Sequence, residues 1–317
     1  MKELKGLVWE PSWMSIVGCI KGCVNYKQSP VSMPWLYGGS GFAFSINISK
    51  QLCPSGPTAW RHDKCMPLLS NLGVQSQMLL AFDDDPEYQK KQIEAQKIIV
   101  SALENNIPSV AWSMSIPEYY VINGYDDSQY FFDGPNKGAG VLPFEKLGKT
   151  EVPLIHILSI DTKTPENDSR IIKEALEFTI LESTNPSSMH WHDFGYAGGL
   201  DAYDLWAQEL QKGDILGTGA HYNAQCWAEA RKNALLFLNE AMHKLPILKR
   251  DFEKAVVEYG VVENSLSEVA DLFPFFEFDP NHAKEKNRVE KATDLLHNAK
   301  VAETRGIEVL KEIAGKL

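Results

Sequence analysis

The residues with the types and spacing for chemistry are the thiols Cys19 and Cys23, a carboxylate at Glu118, and the histidine-bearing stretches around 62, 190 and 221. A thiol at a helix N-terminus is acidified by the helix dipole, and it attacks a carbonyl when a histidine faces it. In the helix expected over 12–26 the first turn holds Trp13, Met14 and Ser15. Cys19 and Cys23 come later, beside Ile20 and Val24, where unmodified thiols pack as small core residues. Cys19 and Cys53 remain the alternative nucleophiles for a thiol hydrolase or acyltransferase.

The histidines offer a different chemistry. His62 and Cys65 lie three apart and share a helix face, as a Cys–His pair or half a metal site would. No second pair stands at ligand spacing, which favours a packed helix face. In "MHWHDFGYAGG" the alternate His190 and His192 point the same way in an extended segment. With Asp193, or with a distant His221, they make a candidate zinc set. The aromatic residues around them fit a ligand-pocket wall better. The glycines before residue 220 match neither a Walker loop nor a dinucleotide fingerprint.

These residues are positioned by two kinds of sequence. Up to about residue 160 helical and strand patterns alternate: a helix over 12–26 with Ser12 as N-cap, a strand in "GFAFSINI", and a helix from Thr58 disturbed by Pro67. A strand in "VQSQMLLAF" follows, then a long helix after "DDPE", then strands in "IPSVAWSM", "EYYVING", "QYFFDG" and "VPLIHILSI". Beyond residue 165 only helical periodicity recurs. The expected architecture is α+β, with an antiparallel-sheet domain over 1–164 and an all-α domain over 165–317. Glu118 is the anomaly, a carboxylate opening an otherwise apolar strand.

Composition narrows the function classes. At 317 residues with 44% hydrophobic content the chain can bury a full core. A net charge of −11 argues against a phosphate-binding surface, so no nucleic acid is expected as a partner. No apolar run nears the ~20 residues of a membrane span and the N-terminus lacks a signal-peptide core, so no membrane association is expected. Five cysteines without a repeating framework suit reduced thiols in a cytoplasm. Leu295, Leu296, Val301, Ile307 and Leu310 form an apolar stripe in the last helix. That stripe suits a packing helix, with a homodimer through the C-terminal helices as the second option.

The order of the 12–26 helix, "YGGSGFAFSINI", "CPSGPTAW", the "PEYYVINGYDD" strand, "QYFFDG", "LPFEKLG" and "VPLIHILSI" resembles the N-terminal domain family of butirosin biosynthesis protein H. The helical remainder, with "GLDAYDLWAQEL" and "CWAEARKNALLFL", resembles the part that often follows it. The resemblance implies a papain-like fold of the bacteriocin-leader-peptidase type. It places a catalytic cysteine near Trp13 to Ser15 and a histidine at Glu118 or Tyr119. Neither residue type is present there. Asp133, in "FFDGP", stands where such folds keep the residue that orients the histidine. A Ser15–Glu118 dyad would need a carboxylate made basic by desolvation. The expected function is therefore a catalytically degenerate papain-like protein. A cleft between the two domains would bind a small-molecule or peptide-like ligand, without a cofactor. Its expected lining is Trp13, Trp60, His62, Glu118, His190 and His192.

Overall fold

The chain is an α+β protein, described over residues 1–59, 62–136, 138–184 and 195–317 in a computed structural model. In chain order its elements are β1 (Lys2–Glu3), α1 (Ser15–Tyr26), α2 (Met33–Gly39), β2 (Asn47–Ser49), α3 (Met66–Asn71), β3 (Val74–Phe82), α4 (Tyr88–Glu104), β4 (Ser109–Trp112) and β5 (Tyr119–Tyr125). There follow β6 (Gln129–Asp133), β7 (Gly140–Pro143), β8 (Leu154–Thr162), α5 (Asp168–Thr184), β9 (Tyr196–Gly198), α6 (Leu200–Lys212), α7 (Gly219–Lys244), α8 (Lys249–Leu272) and α9 (Lys286–Ala314). Two compact units divide the chain, residues 1–31 with 73–165 and residues 32–72 with 166–317. The change at 165/166 falls beside the boundary expected at 164/165. Segment 32–72, expected with the first domain, belongs instead to the helical unit.

The first unit is built on an antiparallel sheet of order β3-β8-β4-β5-β6-β7, with β1 continuing the ladder along β5 beyond β4. An extra residue at Asn123 shifts the β5–β6 register between Ile122 and Gly124, and Leu4 N–H donates to the Asn123 carbonyl at 2.7 Å. Asp126 closes the following turn by accepting the Ser128 and Gln129 N–H groups at 2.8 and 3.0 Å. In β8 both alternating sets, His156, Leu158 and Ile160 and Ile155, Ile157 and Ser159, are buried, so helices must cover both faces. α4 presents Ala95, Ile99, Ala102 and Leu103 at helical spacing. α1 buries Ile16, Val17, Cys19, Ile20, Cys23 and Val24.

The second unit explains its claim on residues 32–72. Ser32 caps α2 by accepting the Trp35 N–H at 3.0 Å, and its hydroxyl donates to Glu240 of α7 at 2.8 Å. A Cβ on Gly38 would stand 2.0 Å from the Phe237 ring, so α2 and α7 meet at a contact only glycine permits. "GFAFSINI", expected as one strand, is strand only at its end, where β2 pairs with β9. The reason lies in its carbonyls. Arg231 of α7, fully buried, donates to Ala43 O and Ser45 O at 2.9 Å each. The helix expected from Thr58 is shortened to α3, with Pro67 in its first turn.

Arg231 also pairs with the buried Glu303 of α9, Nη2 to Oε1 at 2.9 Å and Nε to Oε2 at 3.1 Å, and Tyr203 of α6 donates its hydroxyl to the same carboxylate. Burial, the largest single effect, works against the guanidinium charge, but Glu303, Tyr203 and Tyr259 together outweigh it and raise the Arg231 pKa. Removing one member of such a pair strands the other charge in the core. Arg231→Met is expected to lower stability in urea unfolding by about 3–5 kcal/mol. Glu308→Gln, which breaks an exposed pair with Lys311, should cost under about 0.5 kcal/mol.

Candidate functional site

α1 begins at Ser15, three residues after the expected cap at Ser12, with Met14 in the N-cap position making no side-chain cap bond. The preceding segment crosses the helix over two glycines. A Cβ on Gly18 would meet Glu10 O at 2.3 Å, and one on Gly22 would meet Val8 O at 2.1 Å. Trp9 N–H donates to Asp133 Oδ2 at 2.9 Å, which ties this segment to the end of β6. Asp133 thus holds a backbone amide in this structure.

Glu118 ends the connection from β4 to β5, and its backbone is fixed on both sides. Its carbonyl accepts the Ser113 N–H and its N–H donates to Ile116 O, each at 2.7 Å. Ser113 takes a left-handed φ of 56° to make this turn, a conformation that costs a serine energy. The Ser113 hydroxyl accepts from Thr150 at 2.8 Å. From this seat the half-buried Glu118 carboxylate accepts the hydroxyl proton of Ser15. Ser15 Oγ in turn accepts the Tyr119 N–H at 3.0 Å. The two residues that the resemblance places at the nucleophile and base positions are in contact, and they bond to each other.

The thiols near them are buried. Cys19 is fully buried, and burial first, then Cys23, Glu118 and Asp133, push its pKa well above the usual thiol value. Burial alone pushes Cys23 up. A thiol held protonated is a poor nucleophile. Cys53 belongs to the second unit and is half-exposed, with its sulfur accepting from Ser55 Oγ at 3.1 Å and Ser55 bonded to the Tyr196 hydroxyl at 2.7 Å. Its loop is fixed by buried amides: Asn47 Nδ2 donates to Gly56 O and Ala59 O at 2.9 Å each, and Asn223 Nδ2 to Leu52 O at 3.1 Å.

Sequence reasoning passed over His156. It lies in β8, and its Nδ1 shares a 2.7 Å hydrogen bond with the Tyr119 hydroxyl. Tyr119 stacks edge-on against His156 and Trp112. Its burial, then Glu118 and Cys19, hold the phenol well above its usual pKa. The signal was a lone histidine inside the apolar run "LIHIL", which needs a buried polar partner. Trp13 is half-buried just before α1. Trp60, His190, His192 and Asp193 lie outside the described residues, and so does the side chain of His62. A groove of about 440 Å³ opens elsewhere on the first unit, between α4, β3 and β8, lined by Gln75, Gln77, Lys97, Ser101, Asn105 and Asp161 among others.

His221, the distant candidate metal ligand, is buried at the start of α7 in the second unit. Its Nε2 faces His282 Nδ1 at 3.1 Å, and the rings of Phe273 and Phe278 stand edge-on against it. Among the described residues no group of three or more His, Cys, Asp or Glu has metal-binding geometry, and no helix is long and apolar enough to cross a membrane. No protein-family model matches the chain, and no curated protein matches it significantly.

Burial, then His282 and Arg288, lower the His221 pKa from 6.5 to about 4, against a smaller opposing pull from Asp279. The unfolded chain therefore binds a proton here before the folded one does. Its contribution to stability is complete above 6.5 and is lost as the pH falls towards 4. Urea midpoints across that range should fall in the wild type and fall less steeply in His221→Gln.

Proposed function

We propose that the first unit is a catalytically degenerate papain-like domain that binds a small-molecule or peptide-like ligand beside the N-terminus of α1. The observation that carries this reading is the Ser15–Glu118 hydrogen bond. Ser15 is buried and has one hydroxyl proton, which goes to Glu118, while its oxygen accepts from Tyr119 N–H. A carboxylate is a weaker base than the imidazole that activates such nucleophiles, so in this reading the hydroxyl is held and not activated. The half-buried carboxylate of Glu118 and the half-buried Trp13, two residues before Ser15 in the chain, would line the ligand site. A carboxylate next to aromatic area suits ligands that bring an ammonium or amide N–H on an apolar body.

The raised thiol pKa values of Cys19 and Cys23 support the same reading against the hydrolase or acyltransferase alternative. Iodoacetamide labelling of the folded protein, mapped by mass spectrometry, tests that side. Cys19, Cys23, Cys65 and Cys226, all buried, should stay unlabelled, and one cysteine alkylated much faster than a free thiol below neutral pH would replace binding with thiol catalysis.

Ligand-observed NMR with a panel of primary amines, primary amides and short peptides tests the binding side. Several members are expected to bind the wild type, and amines should bind Glu118→Gln several-fold more weakly. A panel that does not distinguish the two proteins would remove Glu118 from the site.

A further inference from the structure

The sheet face beneath α4 changes character partway along two neighbouring strands. Directly opposite residues of an antiparallel pair share a face, and the β3–β8 pairs Ala81–Ile155 and Leu79–Ile157 are apolar and buried. The next two pairs of the same row, Gln77–Ser159 and Gln75–Asp161, are polar. α4 changes with them. Its Ala95 and Ile99 are buried. Lys97, Ser101 and Asn105, spaced four apart along one side of the helix, instead line a groove together with the polar strand residues.

This groove, of about 440 Å³, has the volume of a small-molecule site, and most of its polar groups are uncommitted. Among the described residues the side chains of Gln75, Gln77, Lys97 and Ser101 have no hydrogen-bond or ion-pair partner. Other lysines of α4 are paired, Lys90 with Glu87 at 2.6 Å and Lys91 with Glu94 at 3.5 Å. The carboxylate of the groove is spoken for as well. Asp161 Oδ1 pairs with Lys27 at 2.8 Å and accepts the Thr162 N–H at 2.8 Å. Lys97 is therefore the uncompensated charge of the groove.

We propose that the groove binds a sugar carrying one acidic group, at a site separate from Glu118 and independent of the function proposed there. Amide and hydroxyl side chains each donate and accept. They match a ligand whose own groups do both, as sugar hydroxyls do. Ile98, Ala102 and Ile107 supply apolar area for the C–H face of such a ring. No aromatic side chain among the described residues lines the groove, so it lacks the stacking platform that a planar base needs. Lys97 adds a point charge suited to a carboxylate or a phosphate. The acidic group would bond Lys97, and the hydroxyls would run along Gln75, Gln77 and Ser101.

NMR titration of the full chain with glucuronate, glucose 6-phosphate, glucose and acetate tests this, read on the side-chain amide signals of Gln75 and Gln77. At least one of the two acidic sugars should shift both signals saturably at millimolar concentration, and the tighter of the two identifies the acidic group. Glucose should bind several-fold more weakly, and acetate should leave the signals in place. Lys97→Met should reduce the affinity for the acidic sugar to that for glucose. Ser101→Trp, which fills the groove from an exposed position, should abolish binding. Both variants should keep the wild-type urea midpoint, and Lys91→Met should bind as the wild type does. The proposal is overturned if neither acidic sugar shifts the two amides saturably, if acetate binds as tightly as the sugars, or if affinity survives either Lys97→Met or Ser101→Trp unchanged.

Discussion

A serine hydroxyl has one proton to give, and in the first unit the direction of that proton decides what the site can be. Ser15 stands where α1 starts, with the field of the helix N-terminus around it. Had a histidine faced it, the hydroxyl would have been poised for attack, because an imidazole takes a proton near neutral pH. Glu118 takes the hydrogen bond instead, and the Tyr119 amide occupies the oxygen from the other side. The strained turn at Ser113 and the Thr150 bond behind it hold Glu118 in that position. The loop that brings the chain to Ser15 is fixed by Asp133, and two glycines let it cross α1. Each of these features serves to place one carboxylate against one hydroxyl.

The second unit obeys the same rule, that a buried polar group must find its partners. Arg231 donates from Nε to Glu303 and from Nη1 to the carbonyls of Ala43 and Ser45. That is why a segment from the first quarter of the chain joins the helices rather than the sheet. Asn47 and Asn223 fix the Cys53 loop by the same means. Specific polar anchors thus tie the 43–59 stretch to the helices of the second unit.

This division also marks what was legible in the sequence. The α+β class, the long α4 and the strands β4, β5, β6 and β8 follow from apolar spacing and turn residues, whereas the meeting of Glu118 with the start of α1 was expected only from the resemblance. Where side-chain donors reach across long separations, periodicity is blind. "GFAFSINI" alternates like a strand, yet Arg231, nearly two hundred residues later, holds its middle in another shape. His156 looked like one residue of a core strand because its partner Tyr119 lies three strands away in sequence. The cap of α1 was misplaced to Ser12 because Ser15 does its hydrogen bonding outward, to β5, instead of to its own helix.

The most direct measurement is a double-mutant cycle on Ser15→Ala and Glu118→Gln, read by urea unfolding of the folded chain. If the hydroxyl is committed to the carboxylate, the two substitutions are non-additive, with a coupling energy of about 1 kcal/mol or more. Additive effects would mean that Ser15 and Glu118 do not depend on each other. The hydroxyl would then be free for another role, and the account of a locked, ligand-binding site would fail.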